Sequence, residues 1–435
     1  MITKILHQAW NERRHNALLF GVLLLTTIFI WMISDPLYVI FATKAIPNNY
    51  EKQDRYCICL EFDYSEMVEE DNSDFSLYSQ HKNIVHAIKS LPEVESSLDT
   101  YMRMGAFNSE MHCTGRLYYD TEENDSLINV WQYCYIWEDD HNMFATLGLK
   151  DANNGKTLTV PDNINIENDI FVSRQAAMKL FGTTEVVGRT HNDPHTKYRI
   201  RGVYDDFQLD TYTEPLPSMI KFESPSLHSI AANYSKRIVK LKEGTDIDNF
   251  TQMVKNIVSE LDKDNNFQVR VLTLNELLDE THIEREARYT INQKIILNSF
   301  AIACIFLCML GTFWTRMDNR RSDIGIMRSV GASRSRVIAQ YISEAVMIMS
   351  IAFVAALPFI FHSAALEGFA EPGVCSFDKE EFTPNPEYGV NNFGVHFASV
   401  TAITYLAMLA ITIAGTLIPV YRATRILPAD ALREE

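Results

Sequence analysis

The chain has 435 residues, a formal net charge of -17, 47% hydrophobic residues and a mean hydropathy of -0.10. Those averages conceal segregation: 42 acidic and 25 basic residues fall in 44–290, so this one segment carries the whole net charge. An acidic surface excludes nucleic acid as a partner, because neutralising phosphates requires a basic one.

In residues 1–16, Ile5, Leu6, Ala9 and Trp10 recur at helical spacing with Arg13 and Arg14 beyond them. This pattern predicts an amphipathic helix on a membrane interface, or more plainly a basic flank of the first span. A first transmembrane helix is predicted over 17–43. Its apolar run, Ala17 to Ser34, is longer than the h-region of a signal peptide, so an uncleaved span is expected. Asp35-Pro36 is expected to interrupt its outer end.

Segment 44–290 reads as an α+β extracytoplasmic domain. Strand-like runs Arg55 to Tyr64 and Val94 to Met104 flank a helical run, Gln80 to Leu91. Lys236 to Lys242, Ile247 to Leu261 and Phe267 to Leu274 repeat the order strand, helix, strand. Two flanking βαβ-like units with a strand-rich insert at about 106–230 imply two subdomains. No Gly or Pro occurs from Asn275 to Leu310, and Asn275 is a plausible N-cap. One continuous helix of about 54 Å is therefore expected to run from the domain into the membrane. Ile283, Ala287, Ile291 and Ile295 form its apolar stripe.

Further spans are predicted over 291–314 (a stalk and second transmembrane helix), 337–361 and 397–420, each with about the 20 apolar residues that a bilayer requires. The loop 315–336 carries six arginines, whereas 362–396 carries Lys379 against six acidic residues. Both termini, including the tail 421–435, should then lie in the cytoplasm, with 44–290 and 362–396 outside. The fold class is thus an α-helical membrane protein with four transmembrane helices plus an α+β extracytoplasmic domain of two subdomains.

No catalytic or metal-binding constellation emerges. Cys57 and Cys59 are two apart in a strand and face one side, so they do not easily bridge each other. An oxidising compartment would permit a Cys113–Cys134 disulfide. Asn154-Gly155-Lys156-Thr157 ends like a phosphate-binding loop, but Lys150 stands where the first Gly is needed, so it reads as a turn. His191 and His195 are separated by Pro194, which points to a solvated loop rather than a metal-binding helix face. No cofactor is expected.

The informative segment is Arg320-Arg321-Ser322-Asp323-Ile324-Gly325-Ile326-Met327-Arg328-Ser329-Val330-Gly331-Ala332-Ser333. Ser322 could cap a short helix, with Asp323 at its positive end. Ile324, Met327 and Val330 give an apolar edge at three-residue spacing. Gly331 suits a left-handed C′ position, and Ser333 could cap the next helix. Such a helix fits docking into a partner's groove, or simply an interfacial turn. Gln340 and Glu344 lie four apart near the start of the third span, where a charge is either functional or, as favoured here, an interfacial Glu snorkelling to water. Ala410, Ala414 and Gly415 offer a small surface for close helix packing.

This loop resembles the signature loop of FtsX/MacB-type permeases, in which an acidic residue, Ile-Gly, a basic residue and Gly-Ala-Ser recur. The tail Tyr421-Arg422-Ala423-Thr424-Arg425, followed by Leu427-Pro428-Ala429-Asp430-Ala431-Leu432-Arg433, is similar to the family's. Val172-Ser173-Arg174-Gln175-Ala176-Ala177, Leu180-Phe181-Gly182, Val187-Gly188 and Tyr198 to Phe207 resemble the MacB-like periplasmic core. Asp323 stands where the family usually has Glu, and the fused ATPase domain of MacB is absent. The resemblance implies a bacterial inner-membrane ABC transporter permease with no enzymatic activity of its own. It would couple ATP hydrolysis by a separate ATPase to motion of the periplasmic domain, with efflux as the implied outcome. Arg321, Asp323, Ile324, Met327, Arg328, Gly331, Ala332 and Ser333 would form the ATPase-coupling site, with Arg425, Pro428, Leu432 and Arg433 in the tail. The implied partners are the ABC ATPase, a second copy or similar permease, a periplasmic adaptor and membrane lipids. Alternatives are an FtsX-like signalling subunit that activates a cell-wall hydrolase, a lipoprotein-release permease, or a receptor-like anchor without an ATPase.

Overall fold

A computed structural model of the chain describes residues 13–61, 75–100, 114–118, 127–137, 141–192, 197–208, 214–224, 236–280, 282–370, 385 and 387–425. The chain divides into a membrane unit (Met1–Ala42, Thr290–Pro372, Pro386–Glu435) and a large domain (Thr43–Tyr289, Gly373–Asn385). Helix α1 (Arg13–Lys44) opens the chain. Asp35-Pro36 does not interrupt it. Pro36 removes one N–H from the ladder, but its ring is carried inside the helix, which runs on to Lys44. The interfacial helix expected over 1–16 lies almost wholly outside the described residues.

The large domain contains, in order, β1 (Arg55–Glu61), α2 (Phe75–Lys89), β2 (Val94–Thr100), β3 (Thr114–Tyr118), β4 (Leu127–Ile136), α3 (Met143–Leu147), β5 (Asp169–Ser173), α4 (Arg174–Phe181), β6 (Thr190–Asn192), β7 (Lys197–Tyr204), β8 (Ser218–Glu223), β9 (Lys236–Leu241), α5 (Ile247–Leu261), β10 (Gln268–Thr273) and α6 (Leu274–Glu280). The strand order is β10-β1-β9-β2-β4-β8-β5-β7-β6, with β3 on β4. Its first four strands pair antiparallel in the order of a βαββαβ unit split by a long insertion. Alternation along β1 sends Ile58 and Leu60 to one face, where Ile84 and Ile88 of α2 and Phe250, Val254 and Val258 of α5 cover them. Cys57 and Cys59 point to the other face, among Trp131, Tyr133, Tyr135 and Phe144. They are free thiols with their sulfurs 3.6 Å apart. The inserted strands have a second helix-covered core, in which Ala176, Ala177 and Leu180 of α4 pack on Ile170, Val172 and Ile200. Sheet continuity between the two parts rests on the pair Thr100↔Tyr135.

Several local readings resolve here. Asn154-Gly155 is a turn: Gly155 has φ 69°, and Asp151 Oδ1 accepts from the backbone N–H groups of Asn153 and Asn154. The Cys113–Cys134 and His191/His195 readings lie outside the described side chains. The cap predicted at Asn275 belongs to Thr273. Its hydroxyl accepts from Glu276 N at 3.2 Å while the Glu276 carboxylate accepts from Thr273 N at 2.8 Å, a reciprocal capping box. These bonds to the charged form hold the Glu276 carboxyl below its usual range. The single helix expected from Asn275 onward is described as α6 and then α7 (His282–Asp318), with residue 281 outside the described set.

After α7 come α8 (Arg321–Ser329), α9 (Arg334–Glu367) and α10 (Phe393–Ala423). Among the described residues, four segments are long and apolar enough to cross a membrane: Leu19–Lys44, Arg288–Asp318, Arg334–Glu367 and Phe393–Ala423. Their shared core joins Leu19, Leu23 and Ile30 of α1, Met309 and Phe313 of α7, Met349 and Phe353 of α9, and Met408 of α10. Close approach occurs at Gly415, where an added Cβ would sit 3.1 Å from the Phe313 ring. Ala410 is exposed, so the predicted small surface is used only at its glycine end. The fold is therefore a four-helix membrane unit carrying a large α+β domain inserted after its first helix.

Candidate functional site

Helix α8 is bounded by backbone geometry. Its N-cap is Arg320, which makes no side-chain cap bond, so Ser322 lies inside the helix rather than capping it. Its C-terminus is a Schellman motif: Gly331 N donates to Arg328 O at 3.1 Å and Ala332 N to Met327 O at 3.0 Å. Gly331, at φ +96°, takes the left-handed position for which a side chain is penalised. Ser333 then caps α9 by accepting from Arg336 N.

The orientation of α8 corrects the predicted docking edge. Ile324 is 2% exposed and packs with Met317, Val337, Tyr341 and Val420, and Met327 and Ala332 lie against the same cluster. These side chains fasten α8 to the membrane helices. The outward apolar groups are Ile326, 49% exposed, and Val330, 83% exposed, with Asp323 and Ser329 also exposed. Spacing alone could not separate the two sets, since each recurs at three or four residues. Arg328 is half-buried, and its Nε has no partner among the described residues. The Arg321 side chain and Pro428, Leu432 and Arg433 lie outside the described set. Arg425 is exposed, with its guanidinium over the Tyr421 ring at 4.6 Å.

Glu344 does not snorkel. It is 4% exposed and accepts from Arg316 Nη2 at 2.7 Å and Arg320 Nη1 at 2.9 Å. Arg320 also lies over the Tyr341 ring at 5.8 Å. This cluster ties α7, the residue before α8, and α9 together, and it shares Tyr341 with the Ile324 contact. A charge in a span demands a partner, and Arg316 and Arg320, four apart, were the available signal. Gln340 is half-buried, and its backbone carbonyl accepts from Ser343 Oγ.

Four apolar helices, a large domain inserted after the first, and a fastened amphipathic helix between the second and third make up the architecture of the described residues. Residues 295–428 match the family model described as FtsX-like permease C-terminal. Over this segment the chain is similar to FtsX-like permeases. No curated protein matches the chain. Among solved structures, the periplasmic region of MacB from Actinobacillus actinomycetemcomitans is similar at 14% identity, covering 52% of this chain and 91% of that one, with a TM-score of 0.32. A domain of a putative permease protein from Porphyromonas gingivalis is similar at 12% identity over 52% and 92%, with a TM-score of 0.33. The extracellular domain of the noncanonic ABC-type transporter YknZ from Gram-positive bacteria is similar at 16% identity over 49% and 99%, with a TM-score of 0.28.

Proposed function

We propose that this chain is the permease subunit of an ABC transporter of the MacB/FtsX type, working in a bacterial inner membrane with both termini in the cytoplasm. The observation that carries the reading is α8: its inner edge is fixed by Ile324, while Ile326 and Val330 are presented outward as a pair four residues apart. An amphipathic helix fastened on one face and free on the other is the means by which a groove in a cytosolic ATPase would grip the permease. ATP would be bound by that partner, since this sequence has no phosphate-cradling loop. Motion of α8 would pass through the Arg320–Glu344–Arg316 cluster into α7, whose 37 residues make a rod of about 55 Å. The main hydrophobic cluster of the bundle is Leu, Ile, Met, Phe and Ala, which favours export driven by the outer domain over conduction through a polar pore. A second permease copy and a periplasmic adaptor would complete the assembly.

The test is co-purification with the ATPase. Burying a large apolar side chain is worth about 1.5–3 kcal/mol, so Ile326→Glu or Val330→Glu should weaken association at least about tenfold. Unchanged ATPase binding in both variants would remove α8 as the coupling element.

A further inference from the structure

The bundle contains a second buried ionisable cluster, at the end where the chain leaves for the large domain. Asp35 of α1 is 6% exposed and His396 of α10 is fully buried. Asp35 Oδ2 accepts from Ala370 N at 2.7 Å, and Asp35 Oδ1 lies 2.7 Å from His396 Nε2. His396 Nδ1 lies 2.6 Å from the Val390 carbonyl oxygen. The imidazole stacks on Phe369 at 3.9 Å, with the Tyr38 ring at 4.8 Å. Three separate parts of the membrane unit thus meet at one ring: α1, the segment after α9 and the segment before α10.

A proton count follows from this geometry. A carbonyl oxygen only accepts, so Nδ1 carries hydrogen. The contact between Nε2 and Oδ1 also needs a hydrogen, whether held by nitrogen or by oxygen. The closed cluster therefore contains one proton more than a neutral imidazole and a carboxylate. Without it, two sets of lone pairs would face each other at 2.7 Å in a site closed to water, where unpaired polar groups are most costly. We infer that Asp35 and His396 form a proton-binding site that fastens the ends of the first and fourth spans to the segment after the third, and that loss of the proton unfastens them. Of the titratable groups nearby, Asp35 and Tyr38 stand against the imidazole. Glu387 and Tyr388 precede Val390, and His362 and Glu367 lie on the end of α9. The ligand is a proton, and the site lies outside the proposed ATPase-coupling loop, so it stands whether or not α8 binds an ATPase.

The Ala370 amide reports the fastening directly. Its hydrogen-exchange protection factor is measured by mass spectrometry on the full chain in lipid nanodiscs, from about pH 5 to about pH 8. Protection is expected to hold at the acid end and then fall about tenfold per pH unit, the slope of a one-proton linkage. His396→Gln places an amide donor near the Nε2 position without a titrating proton, and protection should become independent of pH. Asp35→Asn supplies the hydrogen to Nε2 from its own amide and should abolish the slope, while Tyr38→Phe should leave the slope in place. A wild-type protection factor constant across the range would overturn the proposal. So would a slope that persists in both His396→Gln and Asp35→Asn. The wild-type series decides the matter even where a variant fails to fold.

Discussion

Glu344 in the membrane unit and Asp206 in the large domain are both buried carboxylates, and they are handled in opposite ways. Glu344 is neutralised by two arginines, with Arg316 and Arg320 both within 2.9 Å of its oxygens. Asp206 accepts from the backbone N–H of Gln175 at 2.8 Å, and the Arg174 guanidinium also favours its charged form. Burial outweighs those interactions and pushes its carboxyl up to about 6. A domain bathed in water can let a buried acid take up a proton. A bundle surrounded by lipid has no nearby water to draw on, so its acids must meet cations or shared protons from other helices. The contrast indicates which buried acids are fixed in charge and which respond to pH.

Removing Glu344 gives the largest expected effect. Glu344→Ala leaves two arginines together in a dry site, and breaking a buried pair in this way costs about 3–5 kcal/mol. The full chain in detergent should lose its thermal transition or show it far lower. A midpoint within a degree or two of wild type would mean that water reaches this cluster and that the contrast is false. Next is Asp206→Asn. Because the folded-state value is raised, the stability associated with Asp206 is complete below the ordinary carboxylate value of 3.8 and is lost as pH rises through about 6. Asn keeps an acceptor for Gln175 N and has no charge to bury. Above pH 6 it should stabilise the domain by about 2–3 kcal/mol and flatten the dependence between 4 and 6, read from amide exchange across Asp169–Tyr204. The smallest effect belongs to an exposed carboxylate. Thr273→Ala breaks the capping box with Glu276 and should cost about 1 kcal/mol, visible as faster exchange confined to α6.

The sequence made some of this structure legible and withheld the rest for physical reasons. Span length, the inserted domain and the glycine stop at Gly331 depend on local composition and backbone conformation, and all could be read directly. The Thr273-x-x-Glu276 box was equally local, yet the more polar Asn275 drew attention two residues too far. The orientation of α8 could not be read, because Val337, Tyr341 and Val420 decide it and none belongs to the loop. The same holds for Asp35: its partner His396 lies 361 residues away, and nothing in the local pattern connects them.

The place of β1 in the sheet has a consequence for how the chain is made. Its two neighbours, β9 and β10, are encoded about 180 and 210 residues later. Until Lys236–Leu241 and Gln268–Thr273 have been synthesised, β1 has neither hydrogen-bonding partner, and its apolar face has only part of its cover. Pairings of such long sequence separation form slowly and leave unpaired edges exposed. During that interval the Cys57 and Cys59 thiols, sealed in the finished domain, are open to any oxidant present. A newborn chain stalled before residue 236 should therefore react with thiol reagents at two positions that the mature protein conceals.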